Sequence, residues 1–344
     1  MMQDQEKVWS LTKISAELGV SICTVSAVLN GRARALHIKP ATIDRIQSFC
    51  NGIGYQPNIH TRRMRSRIVN NILFYISTLA DIKANFPDSN LFNVQRGILH
   101  AAKAAHVTVS VRSGDVKEAA EGIFRSFRSR EIDGMIHYGV EIPPEWIEVF
   151  RQEKRHVVGI SVKGSQAVPA VNINNREISR RMVIEYLLKR GRRTFLYLGG
   201  KLDSFPGNER YAGFREALAE YGIAFSEKRF ILCNFDDKEA YAAMEKFLAS
   251  GESLPDAVVC ANDLMAVGAL HSLLQHGIKV PGQVAVCGGD GIEICRHMTP
   301  RIAGFDYQAI SMGIAAFDML WREVNGESVE DKIIETSLLE GDSV

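Results

Sequence analysis

Between Gly52 and Arg67 the chain reads GIGYQPNIHTRRMRSR, with Arg62, Arg63, Arg65 and Arg67 crowded around a single Met64. Guanidinium groups at that density suit a polyanion, because each presents a fixed fork of donors that matches a phosphate. A solvated surface would account for the arginines but not for the methionine. A second group lies far downstream. Arg210, in GNERYAGF, and Asp290, closing VAVCGGD, each sit just beyond an apolar run. A cation and a carboxylate there suit polyhydroxylated or amphoteric small molecules, through charge-assisted hydrogen bonds. Neither group looks catalytic: the chain has no Gly-x-Gly-x-x-Gly, P-loop, Gly-x-Ser-x-Gly or His-Glu-x-x-His. The CGGDG run lacks the lysine of a nucleotide loop and reads as a strand-end turn presenting Asp290. Nine scattered histidines form no cluster with carboxylates, so neither a metal nor a cofactor is expected.

Length and charge place these groups in different domains. A chain of 344 residues exceeds one average core. Residues 1–67 hold 10 Lys/Arg against 4 Asp/Glu, a charge of +6, whereas the remainder holds 31 against 36, a charge of −5. A small basic head on a mildly acidic body points the head at a polyanion. The six cysteines show no Cys-x-x-Cys pairing and sit mostly in apolar runs, as reduced buried thiols do. MMQDQEKVWS is not a signal peptide, and no stretch of about 18 uncharged apolar residues occurs, so a cytoplasmic protein with no membrane partner is expected.

From about Ile68 onward, nine short apolar runs, from NNILFYIS (70–77) to VAVCGGD (284–290), alternate with helical-period stretches near 92–105, 117–129, 176–190, 209–221, 237–249, 263–276 and 308–324. That alternation predicts parallel, doubly wound sheets in two α/β lobes, with ligands beyond the carboxyl ends of the strands. Asn262 in CANDLMA is placed to cap a helix and is also a possible ligand contact. The loop STLADIKANFPDSNLF after the first strand should line the same cleft, offering Asn90 and Phe92. Tyr138, ending DGMIHY, and Tyr307, in GFDYQ, are further candidates.

Residues 1–67 contain no strand signal and read as an all-α unit. Ser10 can cap a helix with Leu11, Ile14 and Leu18 on one face. Gly19 provides a turn, and Ser21 can cap a second helix that buries Val25, Val28 and Leu29. This leaves Ile22, Cys23, Ser26 and Ala27 facing outward, with Thr24 at the flank. A third helix follows Pro40. Two short helices joined by a Gly turn make a helix-turn-helix, whose second helix can enter a major groove.

LTKISAELGVSICTVSAVLNG and IKPATIDRIQSFCNGIGYQPNIHTRRMRSR, with DGMI, GRRTFLYLGG, NERYAGFREAL, CANDLMAVGAL, VAVCGGDG and SMG following in order, resemble the lactose-repressor (LacI/GalR) family of bacterial transcription regulators. The resemblance covers nearly the whole chain. It implies a DNA-binding head (1–56), a hinge helix (57–67) and a periplasmic-binding-protein-like effector domain (68–344). The first lobe would hold about 68–173 and 305–325, the second about 174–304 and 326–344. It further implies a homodimeric repressor on a pseudo-palindromic double-stranded operator, responding to a sugar or related metabolite in the interlobe cleft. Ile22, Cys23 and Ala27 match the base-reading positions; Ser21, Thr24, Ser26 and Asn30 match the phosphate-contacting ones. Ser10, Leu11, Asn58, Thr61, Arg62 and Arg65 fall among the DNA contacts, Met64 matches the minor-groove wedge, and Arg210 and Asp290 match effector ligands.

One departure stands out. Ile22, Cys23 and Ala27 offer no Arg, Asn or Gln for bidentate bonding to a purine edge, so readout through thymine methyls, hinge and DNA shape is expected. The Arg32–His37 loop is longer than the family pattern, and Arg32, Arg34 or His37 are candidates for the missing contacts. Pro57 disfavours helix before it and Asn58 can cap a helix starting there, but eight or so residues fall short of the roughly 12–15 an isolated helix needs. The hinge is therefore expected to fold on phosphates. A transport-type binding protein without DNA function is the alternative; it would not carry the basic head.

Overall fold

The computed structural model describes residues 9–29, 31, 33–55, 68–77, 89–201 and 203–344. Asn30, and the whole predicted hinge helix with Asn58, Thr61, Arg62, Met64 and Arg65, lie outside the described residues. The chain divides into two compact units, Met1–Val69 and Asn70–Val344.

In the first unit, Ser10 is extended and its hydroxyl accepts from the Lys13 amide, opening α1 (Leu11–Leu18). Gly19, at φ 60 and ψ 35, supplies the left-handed residue that ends α1. Ser21 Oγ then accepts from Thr24 N at 3.0 Å and opens α2 (Ile22–Leu29), which turns 110° from α1. Pro40 begins α3 (Pro40–Gly52) at the position where a missing N–H costs nothing. Ile14, Val25, Val28, Ile46 and Cys50 form the core, closed by a T-shaped Trp9–Phe49 contact at 5.3 Å. Arg45 Nη2 donates to the Leu18 carbonyl at 2.8 Å, which satisfies an orphan acceptor at the end of α1.

The second unit contains two parallel sheets. The first has the order β11-β5-β4-β3-β1-β2, built from β1 (Asn71–Ser77), β2 (Thr108–Ser113), β3 (Gly134–Gly139), β4 (His156–Ile160), β5 (Ala170–Ile173) and β11 (Lys332–Ile334). The second has the order β7-β6-β8-β9, from β6 (Phe195–Gly199), β7 (Phe230–Leu232), β8 (Ala257–Cys260) and β9 (Ala285–Cys287). β10 (Gly304–Phe305) and β12 (Leu338–Leu339) pair antiparallel. Helices α4 (Ser89–Ala104), α5 (Val116–Arg128), α6 (Pro144–Gln152) and α12 (Ala309–Val324) flank the first sheet. The second is wound with α7 (Asn175–Met182), α8 (Phe205–Glu220), α9 (Asp237–Ala249), α10 (Asp263–Gln275) and the short α11 (Glu293–His297). β1 is buried along its whole length, as a central parallel strand covered on both faces must be.

The chain crosses between sheets three times: after β5, between β10 and α12, and between β11 and β12. Residues 332–334, expected with the second lobe, pair instead with Val171–Ile173 at the edge of the first sheet. An exposed Lys332–Ile334 run buries more backbone as an added strand there than as a tail. α6 and α11 carry no expectation from the sequence. The 176–190 helix breaks after Met182 into a π turn (183–187) and a 3-10 turn (188–190). Among the described residues no single helix is long and apolar enough to cross a membrane.

Glycines let three helix pairs pack backbone to backbone. A β-carbon on Gly313 of α12 would overlap the Val94 carbonyl oxygen of α4, and one on Gly97 would overlap the Ile310 carbonyl in return. Gly213 of α8 meets the Arg176 carbonyl, and Gly268 of α10 meets that of Asp237, in the same way. Gly313→Ala should therefore destabilise the second unit by about 1–3 kcal/mol through overpacking. A urea midpoint equal to that of the unaltered chain would show that the two helices have room to part.

Candidate functional site

The carboxyl ends of both sheets open on one cavity of about 290 Å³. Its walls include Ser77 after β1, Tyr138 of β3, Ser161 after β4, Asn262 after β8 and Asp290 after β9. Parallel strands all point their carboxyl ends the same way, so the residues just beyond them converge on one crevice.

Arg210 is the most constrained side chain of this cavity. Ser204 accepts from Gly207 N to open α8, and Arg210 lies in the second turn, facing inward and only 4% exposed. Its Nε donates to Asn175 Oδ1 at 2.9 Å; Nη1 donates to the carbonyls of Ala261 at 2.6 Å and Gly289 at 3.2 Å. Nη2 pairs with Asp290 Oδ1 at 3.0 Å. The guanidinium also lies 4.9 Å from the Phe305 ring centre and 5.5 Å from that of Tyr307, within cation–π range. Three of its five N–H groups thus donate hydrogen bonds to the protein, and Nη2 faces the Asp290 carboxylate.

The turn after β9 explains the CGGDG run. A β-carbon on Gly288 would collide with the Asp263 carboxylate, one on Gly289 with the Phe305 ring, and Gly291 sits at φ 71. Glycine at these places lets the backbone pass close to α10 and deliver Asp290 to Arg210. Asn262 caps α10 as expected, accepting from Met265 N at 2.9 Å, and donates to the Phe235 carbonyl at 3.2 Å.

On the other side of the cavity, Ser161 holds φ 60 at the end of β4 and hydrogen-bonds the Tyr307 hydroxyl. A serine in the left-handed region is strained, and this bond helps to fix it there. Ser77 Oγ lies 2.9 Å from His137 Nε2 and accepts from Val140 N at 3.1 Å. Burial lowers the His137 pKa to about 4, against the bond to the Val140 carbonyl, so the ring is neutral near pH 7.

Arg210, Asp290, Asn262, Asn90, Tyr138 and Tyr307 thus line one cavity. Phe92 does not. It is 61% exposed and borders a different groove with Arg96 and Ile310. α4 already begins at Ser89, and residues two apart on a helix point about 200° apart, so Asn90 borders both the cavity and that groove whereas Phe92 reaches only the groove. Asn175 and Ser161 are the partners that no local signal announces, because each matters only through residues more than 30 positions away.

In the head, Ser10, Ser21, Ile22 and Cys23 are exposed, while Leu11 and Thr24 are half-buried. Ser26 and Ala27, expected to face outward, are buried at 5% and 3%. A helical wheel assumes one packing partner, whereas α2 meets α1, α3 and the following turn, whose Ala33 joins the core. Only the first turn of α2 presents itself to solvent.

The periplasmic binding protein-like domain family matches residues 184–344. Catabolite control protein A of Staphylococcus aureus is 24% identical over 322 residues, covering 92% of this chain and 93% of its own. The HTH-type transcriptional repressor PurR of Vibrio parahaemolyticus is 25% identical over 321 residues, covering 92% of each. A lac repressor dimer bound to operator and the anti-inducer ONPF shares the fold with a TM-score of 0.83, at 20% identity over 98% of this chain and 99% of that one. The transcriptional regulator CelR in complex with cellobiose matches with a TM-score of 0.70, at 24% identity over 98% and 100%.

Asp263, beside Asn262, is 2% exposed, and its carboxylate accepts from Ile292 N at 2.8 Å. Burial pushes its pKa up to about 6, against the Ile292 amide, the Cys295 thiol, Arg210 and the Gly291 amide. The native chain then holds a proton that the unfolded chain, with an ordinary value of 3.8, has already lost. Stability should fall as pH rises from about 4 to about 6 and level off above. Asp263→Asn should flatten that part of a urea-midpoint profile; an unchanged slope would assign it to another group.

Proposed function

We propose that this chain is a LacI/GalR-type repressor, bound as a homodimer to a pseudo-palindromic operator and controlled by a small polyhydroxylated molecule, a sugar or related metabolite, in the cleft; its likeness to catabolite control protein A and PurR along nearly the whole chain supports the reading. The observation that carries the reading is the buried Arg210–Asp290 pair lining a cavity of about 290 Å³. The Asp290 carboxylate and the Arg210 guanidinium bind hydroxyls by charge-assisted bonds, with Asn90, Asn262, Tyr138 and Tyr307 also on the lining.

On the DNA side, Ile22 and Cys23 read base edges through apolar contact, with Ser10, Leu11, Ser21 and Thr24 on the backbone. Asn58, Thr61, Arg62, Met64 and Arg65 form the hinge that enters the minor groove, where Met64 wedges between base steps. The effector shifts operator affinity only by its differential affinity for the two states, so its sign is set by which state it prefers.

A thermal-shift screen of sugars and nucleobases, followed by gel shifts with each hit, tests the reading. Asp290→Asn should weaken effector binding about ten- to hundredfold, the loss expected for a hydrogen bond to a charged group, and leave ligand-free operator binding intact. If no stabilising ligand changes operator affinity, the regulator loses its sensor. Met64→Ala should weaken operator binding and abolish bending with effector affinity unchanged; operator affinity and bending that survive would remove the wedge.

A further inference from the structure

The segment between α2 and α3, GRARALHIK, holds Arg32, Arg34 and Lys39 and no carboxylate. Its described part is an ordered turn. Ile38 N donates to the Ala33 carbonyl at 3.0 Å and His37 N to the Arg34 carbonyl at 3.1 Å, with His37 at φ 50. This pair of bonds around a left-handed residue is the pattern that terminates helices, where glycine is the usual choice. Ala33 is buried in the head core and Ile38 packs against that core, so both ends of the turn are anchored.

Between the anchors, Arg34, Ala35, Leu36 and His37 all stand in solvent, Leu36 at 62%. The side chains of Arg34 and His37 make no hydrogen bond or ion pair among the described residues. The described head leaves two large apolar side chains exposed, Ile22 and Leu36. One begins α2 and the other tips the turn beyond its end. Eight helical residues span about 12 Å, close to the width of a major groove. With the start of α2 on base edges, its far end therefore delivers the turn to the phosphates of the groove wall.

We propose that the Ala33–Ile38 turn is a second DNA-contacting element, in which Arg34 and His37 grip the phosphate backbone and Leu36 packs on the adjoining apolar edge of the duplex. It rests on the DNA-binding reading above. It supplies grip to a recognition helix whose exposed first turn holds no Arg, Asn or Gln and whose Ala27 is buried.

Fluorescence anisotropy of the full chain over a salt series, on a selected operator and on a random duplex, tests the assignment. Arg34→Ala should weaken binding to both duplexes about tenfold and lower the salt slope of log K by about one, as loss of a phosphate contact does. Arg34→Lys should restore the slope, and Leu36→Ser should weaken operator binding with the slope unchanged. Ile22→Glu reports separately on α2. If Ile22→Glu destroys binding while Arg34→Ala and Leu36→Ser keep the unaltered affinity and slope, the turn is not a DNA contact and the DNA-binding reading stands. If the unaltered chain binds no duplex in any selection, both fall.

Discussion

A guanidinium removed from water must be matched atom by atom, or it costs several kcal/mol. The organisation of the cavity stems from how Arg210 meets that demand. Its partners come from the start of α7, the end of β8 and the turn after β9, and its faces lie near Phe305 and Tyr307 on a crossover. Four segments distant in sequence are therefore held in register by one side chain. The glycines beside Asp290 exist so that the backbone can approach closely enough to take part.

That dependence explains what the sequence discloses and what it withholds. All nine apolar runs become strands; those inside the sheets are apolar because both faces are covered, while β2 and β7 lie at sheet edges and stay partly exposed. Arg210 and Asp290 are visible because each comes just after such a run. Asn175 and Ser161 are not, since an asparagine at a helix start and a serine at a strand end have ordinary local explanations. β10, β11 and β12 are two or three residues long and too short to show a period. α6 opens on Pro143–Pro144, which reads as loop until the buried Trp146 and Phe150 are seen to face the sheet.

The head shows the opposite failure. Its helices, caps and Gly19 turn are legible in detail, yet the facing of Ser26 and Ala27 is not. Periodicity identifies a buried stripe but says nothing about a third neighbour, and the turn holding Ala33 is that neighbour. Recognition chemistry is thereby confined to a short arc at the start of α2.

The pairing of β11 with β5 has a consequence for biosynthesis. Translation delivers five strands of the first sheet early, then the whole second sheet, and only near the end of the chain α12 and β11. Of the two parallel sheets, the first to begin is thus the last to be completed. Until residue 334 has emerged, β5 presents an unpaired edge, the kind of surface that recruits a strand from another nascent copy.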